Sequence, residues 1–238
     1  MDYQITFNIM SHKIGIVGEG VSDYLILKHI VERYLRDVDV YTIPLKPKIN
    51  HKGKQDGYGT WQGVFDYISG SDQLILEAIS EGCRYVIIQI DTDVCESYDL
   101  KKDITDLPAF YNSVKDKLAS CVHPDFDIDK AIFAVCIHEI ECWLIPFVSS
   151  DIAKCTNVDR CLNILNRNVR TIGVIDKENK HCDAAVAVYE KILKNKKKAK
   201  DIYAVAQFNY GFQKFIEQLD YIKERLISAE VAYTDTEN

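Results

Sequence analysis

The sequence predicts an α/β fold, with a mostly parallel sheet, helices on both faces and further helices at the C-terminal end. Apolar runs rich in β-branched residues, typical of strands buried on both faces, alternate with longer segments of helical periodicity. Their order (strand, helix, strand, helices, strand, helix, strand) is that of right-handed crossover units. The chain has 238 residues, 47% of them hydrophobic, and can bury a large core. We expect one α/β domain over residues 11–150, with residues 151–238 forming a mostly helical extension packed on it.

The first turn from strand to helix organises the pattern. A strand over Lys13–Val17 runs directly into Gly18-Glu19-Gly20. The two glycines predict a tight turn with positive φ, because glycine adopts that conformation without steric cost. Ser22, with Asp23, is predicted to cap the helix that follows. Open α/β sheets bind ligands at the carboxyl ends of their strands, so Glu19 is expected at the ligand-binding edge.

The remaining elements follow from the same periodicities. A short strand is predicted over Asp39–Ile43, ended by Pro44. Residues 45–60, rich in Lys, Gly, Asn and Pro, are expected to form a long mobile loop. Strands are predicted over Tyr85–Ile90 and Ala131–Ile137. Helices are predicted over residues 61–68, 73–79, 107–118, 183–198 and 209–228, the last burying Phe212, Phe215, Ile216, Leu219, Ile222 and Leu226.

Three of the predicted strands end in acidic residues: Glu19 after the first, Asp91 and Asp93 after the third, Glu139 and Glu141 after the fourth. Neighbouring strands lie about 4.8 Å apart, so carboxylates at their ends converge if the strands are neighbours. Clustered carboxylates repel one another unless a cation lies between them. Magnesium, or manganese, is the expected cation, as one or two ions bound by these five acids.

Other interpretations of these residues remain open. A single acid after a strand is commonly a helix cap or a solvated loop residue, but three such strand ends make that explanation less adequate. Dinucleotide binding is disfavoured because the glycines do not match G-x-G-x-x-G, and Glu19 would repel a pyrophosphate. A haloacid-dehalogenase-like phosphatase, with Asp91 as nucleophile and Asp93 as acid, requires Asp-x-Asp on the first core strand. Here two predicted strands precede it.

The motifs resemble those of a known family. Gly-Glu-Gly-Val-Ser-Asp at 18–23 together with Asp-Thr-Asp at 91–93 resembles the TOPRIM domain of topoisomerases, primases and overcoming-lysogenization-defect (OLD) nucleases. His-Glu-Ile-Glu-Cys-Trp at 138–143 is similar to a motif of small TOPRIM-like proteins often encoded beside ATPases in anti-phage defence loci. The resemblance covers residues 13–150. Primase and topoisomerase activities are disfavoured because the chain has no room for the additional domains that those enzymes carry.

The resemblance implies a metal-dependent nuclease that hydrolyses phosphodiester bonds of DNA or RNA. It implies that Glu19 is a general base or metal ligand and that Asp91 and Asp93 bind metal. Position alone assigns Glu139, and then Glu141, to a second ion. An ATPase partner in anti-phage defence is expected, and a homodimer is a further expectation. The alternative from another class is a non-catalytic TOPRIM-like partner or toxin subunit.

Charge is relevant to nucleic-acid binding. The net charge of −7 argues against a protein held on nucleic acid by overall positive charge. A local basic stretch, Lys46, Lys48, Lys52 and Lys54, is a candidate for phosphate contacts, with a solvated loop as the alternative. A second basic stretch, residues 191–200, is open to the same two interpretations.

The cysteines and the apolar pattern bear on localisation. Eight cysteines are scattered without a Cys-x-x-Cys pair, which predicts free thiols in a reduced, cytoplasmic chain. Zinc binding by Cys155, Cys161, His181 and Cys182 is an alternative, although their spacing fits no common zinc motif. No apolar run is long enough for a membrane span, and the start of the chain does not resemble a signal peptide. Translation from Met10 would leave residues 1–9 as an extra edge strand or absent.

Overall fold

The computed structural model describes residues 11–49, 59–70, 72–196 and 198–236. Its four strands form one parallel sheet in the order β2-β1-β3-β4. The predicted α/β class, with a parallel sheet and helices on both faces, is confirmed. The strands are β1 (His12–Val17), β2 (Val40–Lys46), β3 (Cys83–Asp91) and β4 (Ala131–Cys136). The expectations for residues 1–9 and Met10 fall outside the described residues.

The described residues form these α-helices: α1 (Val21–Tyr34), α2 (Trp61–Ser69), α3 (Leu74–Ser80), α4 (Leu107–Cys121), α5 (Glu141–Val148), α6 (Ile152–Cys155), α7 (Cys161–Asn168), α8 (Asp183–Leu193), α9 (Ala199–Ala206) and α10 (Tyr210–Thr236). Short 3-10 turns cover Cys95–Tyr98, Ile128–Lys130 and Lys177–Asn179. The helix predicted over residues 183–198 is shorter, because α8 ends at Leu193 and α9 begins at Ala199.

Alternation along the strands divides the core between the two faces of the sheet. Ile14 and Ile87 point to the face covered by α1, α5 and α7 to α10. Ile88 and Val135 point to the opposite face, covered by α2, α3 and α4. The strand β3, flanked by β1 and β4, is buried from Tyr85 to Asp91. The continuous apolar run predicted this burial, since a central parallel strand is covered on both sides.

The prediction that Pro44 ends the second strand is wrong. β2 continues through Pro44 to Lys46, and its register with β1 shifts only at Val17. β2 pairs with β1 alone among the described strands, so it is an edge strand, where a residue without a backbone N–H is tolerated. Lys46 ends this strand, and its carbonyl accepts a hydrogen bond from the Gly18 N–H at 2.9 Å.

The C-terminal helices share the core of the sheet. The Trp143 ring of α5 is fully buried and stacks on Phe212 and Phe215 of α10, with centroid distances of 4.7 and 5.4 Å. All six residues predicted for the buried face of this last helix are buried. Residues 151–238 therefore contribute, through α7 to α10, to the same hydrophobic core as residues 11–150.

The prediction that all cysteines are free thiols is wrong. Cys142, at the start of α5, and Cys161, at the start of α7, form a disulfide with a Cα–Cα distance of 4.9 Å. The two helices pack against each other and bring together cysteines that are 19 residues apart in sequence. Such a pair carries no Cys-x-x-Cys signature, so its spacing did not reveal it.

None of the helices in the described part of the chain is long and apolar enough to cross a membrane.

Candidate functional site

Glu19 lies at the carboxyl edge of the sheet and faces the loop after β3. Its carboxylate accepts a hydrogen bond from the Asp91 N–H at 2.8 Å. Its own N–H donates to the Gln89 side-chain oxygen at 3.1 Å. Both contacts join the end of β1 to the end of β3, its neighbour in the sheet. The structure therefore brings Glu19 and Asp91 together, although 72 residues separate them in sequence.

The two glycines beside Glu19 are required for space. The positive φ predicted for them is wrong, because the described glycines with positive φ are Gly82 and Gly173, and Gly20 has φ −146°. A Cβ on Gly18 would lie 3.0 Å from the Gln89 oxygen, and one on Gly20 would lie 2.0 Å from Cε1 of His181. The absence of a side chain lets these groups approach the turn closely.

Ser22 does not cap α1, contrary to the prediction, because the helix begins after Gly20 and the Ser22 side chain is fully buried. Asp23, also fully buried, lies in the first turn of α1, where a hydrogen bond from the Gly20 backbone favours its charged form. The Ser22 hydroxyl lies 2.7 Å from Nδ1 of His181 and donates to Asp23 Oδ1 at 3.3 Å. Asp23 Oδ2 has no hydrogen-bond partner. The pKa of Asp23 is raised, mainly by burial. Asp23 is therefore a further member of the acidic cluster.

Asp91 is the centre of the site. It is 3% exposed, and its Oδ1 accepts hydrogen bonds from Gln89 Nε2 at 2.9 Å and from the Ile140 N–H at 3.1 Å. Its Oδ2 lies 3.3 Å from Nζ of Lys180. Burial raises the pKa of Asp91 well above its ordinary value, Lys180 opposes this, and the negative charge of Glu19 adds to it. Asp91 thus links all three strand-end loops.

The loop after β4 is tied to the loop after β3 through backbone contacts. The Thr92 N–H donates to the His138 carbonyl at 2.8 Å, and the His138 N–H donates to the Thr92 hydroxyl at 2.7 Å. His138 has φ +72°, an uncommon conformation for a residue with a side chain. Its Nδ1 lies 3.6 Å from Glu139 Oε1. The backbone strain of a positive φ at a residue such as His138 persists only where the surroundings impose it, and it is found often at functional sites.

Glu139 and Glu141 follow this loop but face different surroundings. Glu139 Oε1 accepts a hydrogen bond from the Leu162 N–H at 2.8 Å. Burial and then the negative charge of Glu141 raise the pKa of Glu139 to about 7. Glu141 is completely buried and accepts a 2.5 Å hydrogen bond from the Tyr189 hydroxyl. Its other oxygen lies 3.8 Å from Lys180 Nζ and has no hydrogen-bond partner.

Glu19, Asp93 and Glu139 form the outer part of the cluster. Burial raises the pKa of Glu19 to about 7 against the hydrogen bond from Asp91, and the charge of Asp93 contributes to the rise. Asp93 is half-buried, and its charge also raises the pKa of Glu139. Each of the five acids predicted from the sequence therefore lies within electrostatic reach of at least two of the others at the carboxyl edge of the sheet.

The predicted phosphate-contacting lysines are only partly within the described residues. Lys46 is half-buried at the end of β2, on the same edge of the sheet as Glu19, and lies over the start of α2 near Gly63. Lys48 is exposed. Lys52 and Lys54 lie outside the described residues.

Several side chains of the site were not predicted. Gln89 had a detectable signal, because it is the polar residue in the otherwise apolar segment Tyr85–Ile90. Lys180 had none, because it belongs to an irregular stretch between α7 and α8. His181 was considered only as an alternative zinc ligand, and its contact with Ser22 was not predicted. Tyr189 has the pattern of an ordinary buried helix residue, and the Leu162 N–H is a backbone group that no side-chain pattern can reveal.

The donor set fits a hard divalent cation in chemistry, although it is not prearranged. In the part of the chain that the structure describes, no group of three His, Cys, Asp or Glu side chains is already placed to hold a metal ion. Binding an ion thus requires side-chain movement. Buried, mutually repelling carboxyl groups with unpartnered oxygens at Asp23 and Glu141 are the environment that Mg²⁺ or Mn²⁺ stabilises. Zinc is disfavoured, because Cys161 is in the disulfide.

The raised pKa values predict how stability depends on pH without metal. Glu19 and Glu139 titrate near pH 7 when folded and near 4.5 otherwise, so the folded state holds more protons between these values. The free energy of unfolding is therefore expected to fall as pH rises from about 4.5 to 7, by up to about 1.4 kcal/mol per pH unit per group.

Denaturant titrations from pH 5 to 8 test this, with Glu139→Gln as the comparison. The pKa values of His138 and His181 are lowered, mainly by burial, which gives the opposite slope below about pH 6.5. The difference between wild type and Glu139→Gln removes this contribution. A difference that does not change between pH 5 and 8 would contradict the assignment.

Comparison with known proteins gave no further guide to this site. Neither a protein-family model, nor a curated protein, nor a solved structure matches the chain significantly.

Proposed function

We propose that this protein is a metal-dependent nuclease of TOPRIM type that hydrolyses phosphodiester bonds in DNA or RNA. The observation that carries the proposal is the contact of Glu19 with the Asp91 N–H, which joins acids from separate strand ends. Asp91 in turn accepts the Ile140 N–H and so holds the loop that bears Glu139 and Glu141. A carboxylate cluster at the carboxyl edge of a parallel sheet is where such folds place their ligands.

The residues of the cluster have distinct roles in this proposal. Glu19, Asp91, Asp93, Glu139 and Glu141 form the set from which the oxygen ligands for Mg²⁺ or Mn²⁺ are drawn, and Glu19, Asp91, Asp93 and Glu139 are the catalytic residues. When bound, the ion lowers the pKa of water and stabilises charge on the phosphate. Glu19 acts as the general base or as a metal ligand. In the metal-free protein its pKa of about 7 suits a general base, because a general base works best near the ambient pH.

The fixed loops keep these carboxylates in register. Gln89 bridges the Glu19 backbone and the Asp91 carboxylate, so the first and third strand ends cannot move independently. The Leu162 N–H orients Glu139 from α7. These contacts hold the strand-end backbone in place, so that only side chains have to move when an ion binds.

Substrate contacts and partners are also part of the proposal. Lys46 and Lys48, with Lys52 and Lys54, contact the phosphates beside the site. The net charge of −7 is unfavourable for binding nucleic acid alone, which favours an ATPase partner that supplies basic surface. Together with the motif resemblance, this supports an effector in anti-phage defence that works with that partner, and a homodimer belongs to the same proposal. The Cys142–Cys161 disulfide removes the free-thiol argument for a reduced, cytoplasmic chain.

The test is cleavage by the purified protein. Plasmid DNA and tRNA are incubated with wild type in Mg²⁺, Mn²⁺ or EDTA, with and without a co-encoded ATPase. We expect metal-dependent cleavage that Asp91→Asn abolishes and that Asp125→Asn, a change on an exposed acid, leaves intact. Absence of cleavage under all conditions, with no metal binding, would instead indicate a non-catalytic partner or toxin subunit. Hydrolysis of p-nitrophenyl phosphate through a phospho-aspartate would indicate a phosphatase.

A further inference from the structure

Lys180 places a positive charge inside the acidic cluster. Its Nζ lies 3.3 Å from Asp91 Oδ2 and 3.8 Å from Glu141 Oε2, and its side chain is 21% exposed. A lysine ammonium is charged at neutral pH, so Lys180 acts as a counter-ion to Asp91 and Glu141. These two acids and the buried Asp23 are the inner acids of the cluster.

The position of Lys180 is fixed by its neighbours in the chain. His181 contacts the Ser22 hydroxyl at the start of α1, and its ring fills the space beside Gly20. The preceding 3-10 turn, Lys177–Asn179, is capped by the Asp176 side chain, which accepts a hydrogen bond from the Glu178 N–H at 3.1 Å. The segment thus docks on the first strand-end turn and directs Lys180 inward.

The free oxygens of the inner acids are those that Lys180 approaches. Asp91 Oδ1 already accepts two N–H groups, and Glu141 Oε1 accepts the Tyr189 hydroxyl. Each acid has one oxygen left for a cation, and Lys180 faces both. A divalent ion bound between them would share these oxygens with the ammonium and be repelled by it.

The outer acids are less involved with Lys180. In the part of the chain that the structure describes, Lys180 forms ion pairs with Asp91 and Glu141 and none with Glu19 or Glu139. Glu19 and Glu139 instead each accept one backbone N–H through Oε1. The charge of Asp93 acts on both of these glutamates. This leaves the outer acids able to reorganise around an ion.

We propose that Lys180 takes the place of a second divalent ion, so that the wild-type site binds one ion, through the outer acids. A second ion binds only when the charge of Lys180 is removed. This inference rests on the proposed metal-dependent site. It reduces the expected number of bound ions from one or two to one. The unpartnered, buried oxygens of Asp23 and Glu141 then become available to the additional ion in a variant without the lysine.

The experiment counts Mn²⁺ ions by calorimetric titration and by electron paramagnetic resonance of free Mn²⁺. We expect one ion per chain for wild type, one for Lys154→Met, a change on an exposed lysine, and two for Lys180→Met. We also expect Mn²⁺ to raise the melting temperature of Lys180→Met more than that of wild type, because the variant has uncompensated buried carboxylates.

The outcomes separate this inference from the proposed function. Two ions in wild type would overturn the inference and leave the nuclease proposal standing. No ion in wild type would overturn both. If Lys180→Met does not fold, the wild-type count still decides, and the double variant Lys180→Met/Glu141→Gln, which removes a charge of each sign, is expected to fold and bind one ion. One ion per chain in a folded Lys180→Met variant would also contradict the inference.

Discussion

Glu19→Gln is expected to lower the cleavage rate by about 10²- to 10⁴-fold, the contribution typical of a general base. The glutamine side chain keeps an oxygen that can accept the Asp91 N–H, so the turn between β1 and α1 retains its main contact. The variant loses only the negative charge and the ability to take a proton. Initial cleavage rates in Mg²⁺ measure the effect, with Glu96→Gln as the matched control, because Glu96 is an exposed glutamate on the 3-10 turn after β3.

The same substitution is expected to stabilise the metal-free protein. At pH 8 the wild-type carboxylate is charged and buried near Asp23 and Asp93. This is unfavourable, as its raised pKa of about 7 reflects. Replacing it with a neutral amide should raise the free energy of unfolding by about 1–3 kcal/mol after allowance for solvent screening. Activity and stability thus change in opposite directions. A variant that cleaves like wild type, or that unfolds more easily at pH 8, would contradict the role given to Glu19.

Trp143→Ala is expected to reduce the free energy of unfolding by about 3–5 kcal/mol, as usual for deleting a large buried aromatic side chain. Trp143 is fully buried in α5 and stacks on two phenylalanines of α10. The cavity would lie between the sheet domain and the C-terminal helices. Chemical denaturation followed by circular dichroism measures the loss, and one cooperative transition is expected for both proteins.

The other tryptophan provides the control. Trp61, at the start of α2, is partly exposed and contacts Phe65 and Tyr98 on the opposite face of the sheet. Trp61→Ala is expected to cost about 1–2 kcal/mol. Equal losses for the two variants, or separate unfolding transitions for residues 11–150 and 151–238, would show that the C-terminal helices are not part of one core.

The sequence was a good guide to the sheet, because the periodicity of a buried strand depends on local burial alone. The segment Tyr85–Ile90 predicted a central parallel strand, and β3 is that strand. Pro44 misled the prediction, because whether a proline is tolerated depends on which neighbour the strand has. Strand order is a property of the assembled sheet and has no local signature.

The candidate site was predictable where it depended on strand ends and was missed where it depended on long-range packing. Acids after three apolar strands predicted the cluster, since parallel strands end at one edge. Ser22 was predicted to be a cap, but His181 competes for its hydroxyl, and that contact spans 159 residues. Lys180 reaches Asp91 across 89 residues. Neither partner lies in a periodic segment, so only the folded chain reveals them.

The most direct test of the whole account is a crystal structure of the protein with Mn²⁺, in which anomalous scattering locates the ion. We predict one peak at the carboxyl edge of the sheet, with oxygens of Glu19, Asp93 and Glu139 as ligands and the Lys180 ammonium still beside Asp91. A peak bound elsewhere on the protein, or no peak at a saturating concentration of Mn²⁺, would contradict the claim that these strand-end acids form a cation-binding site.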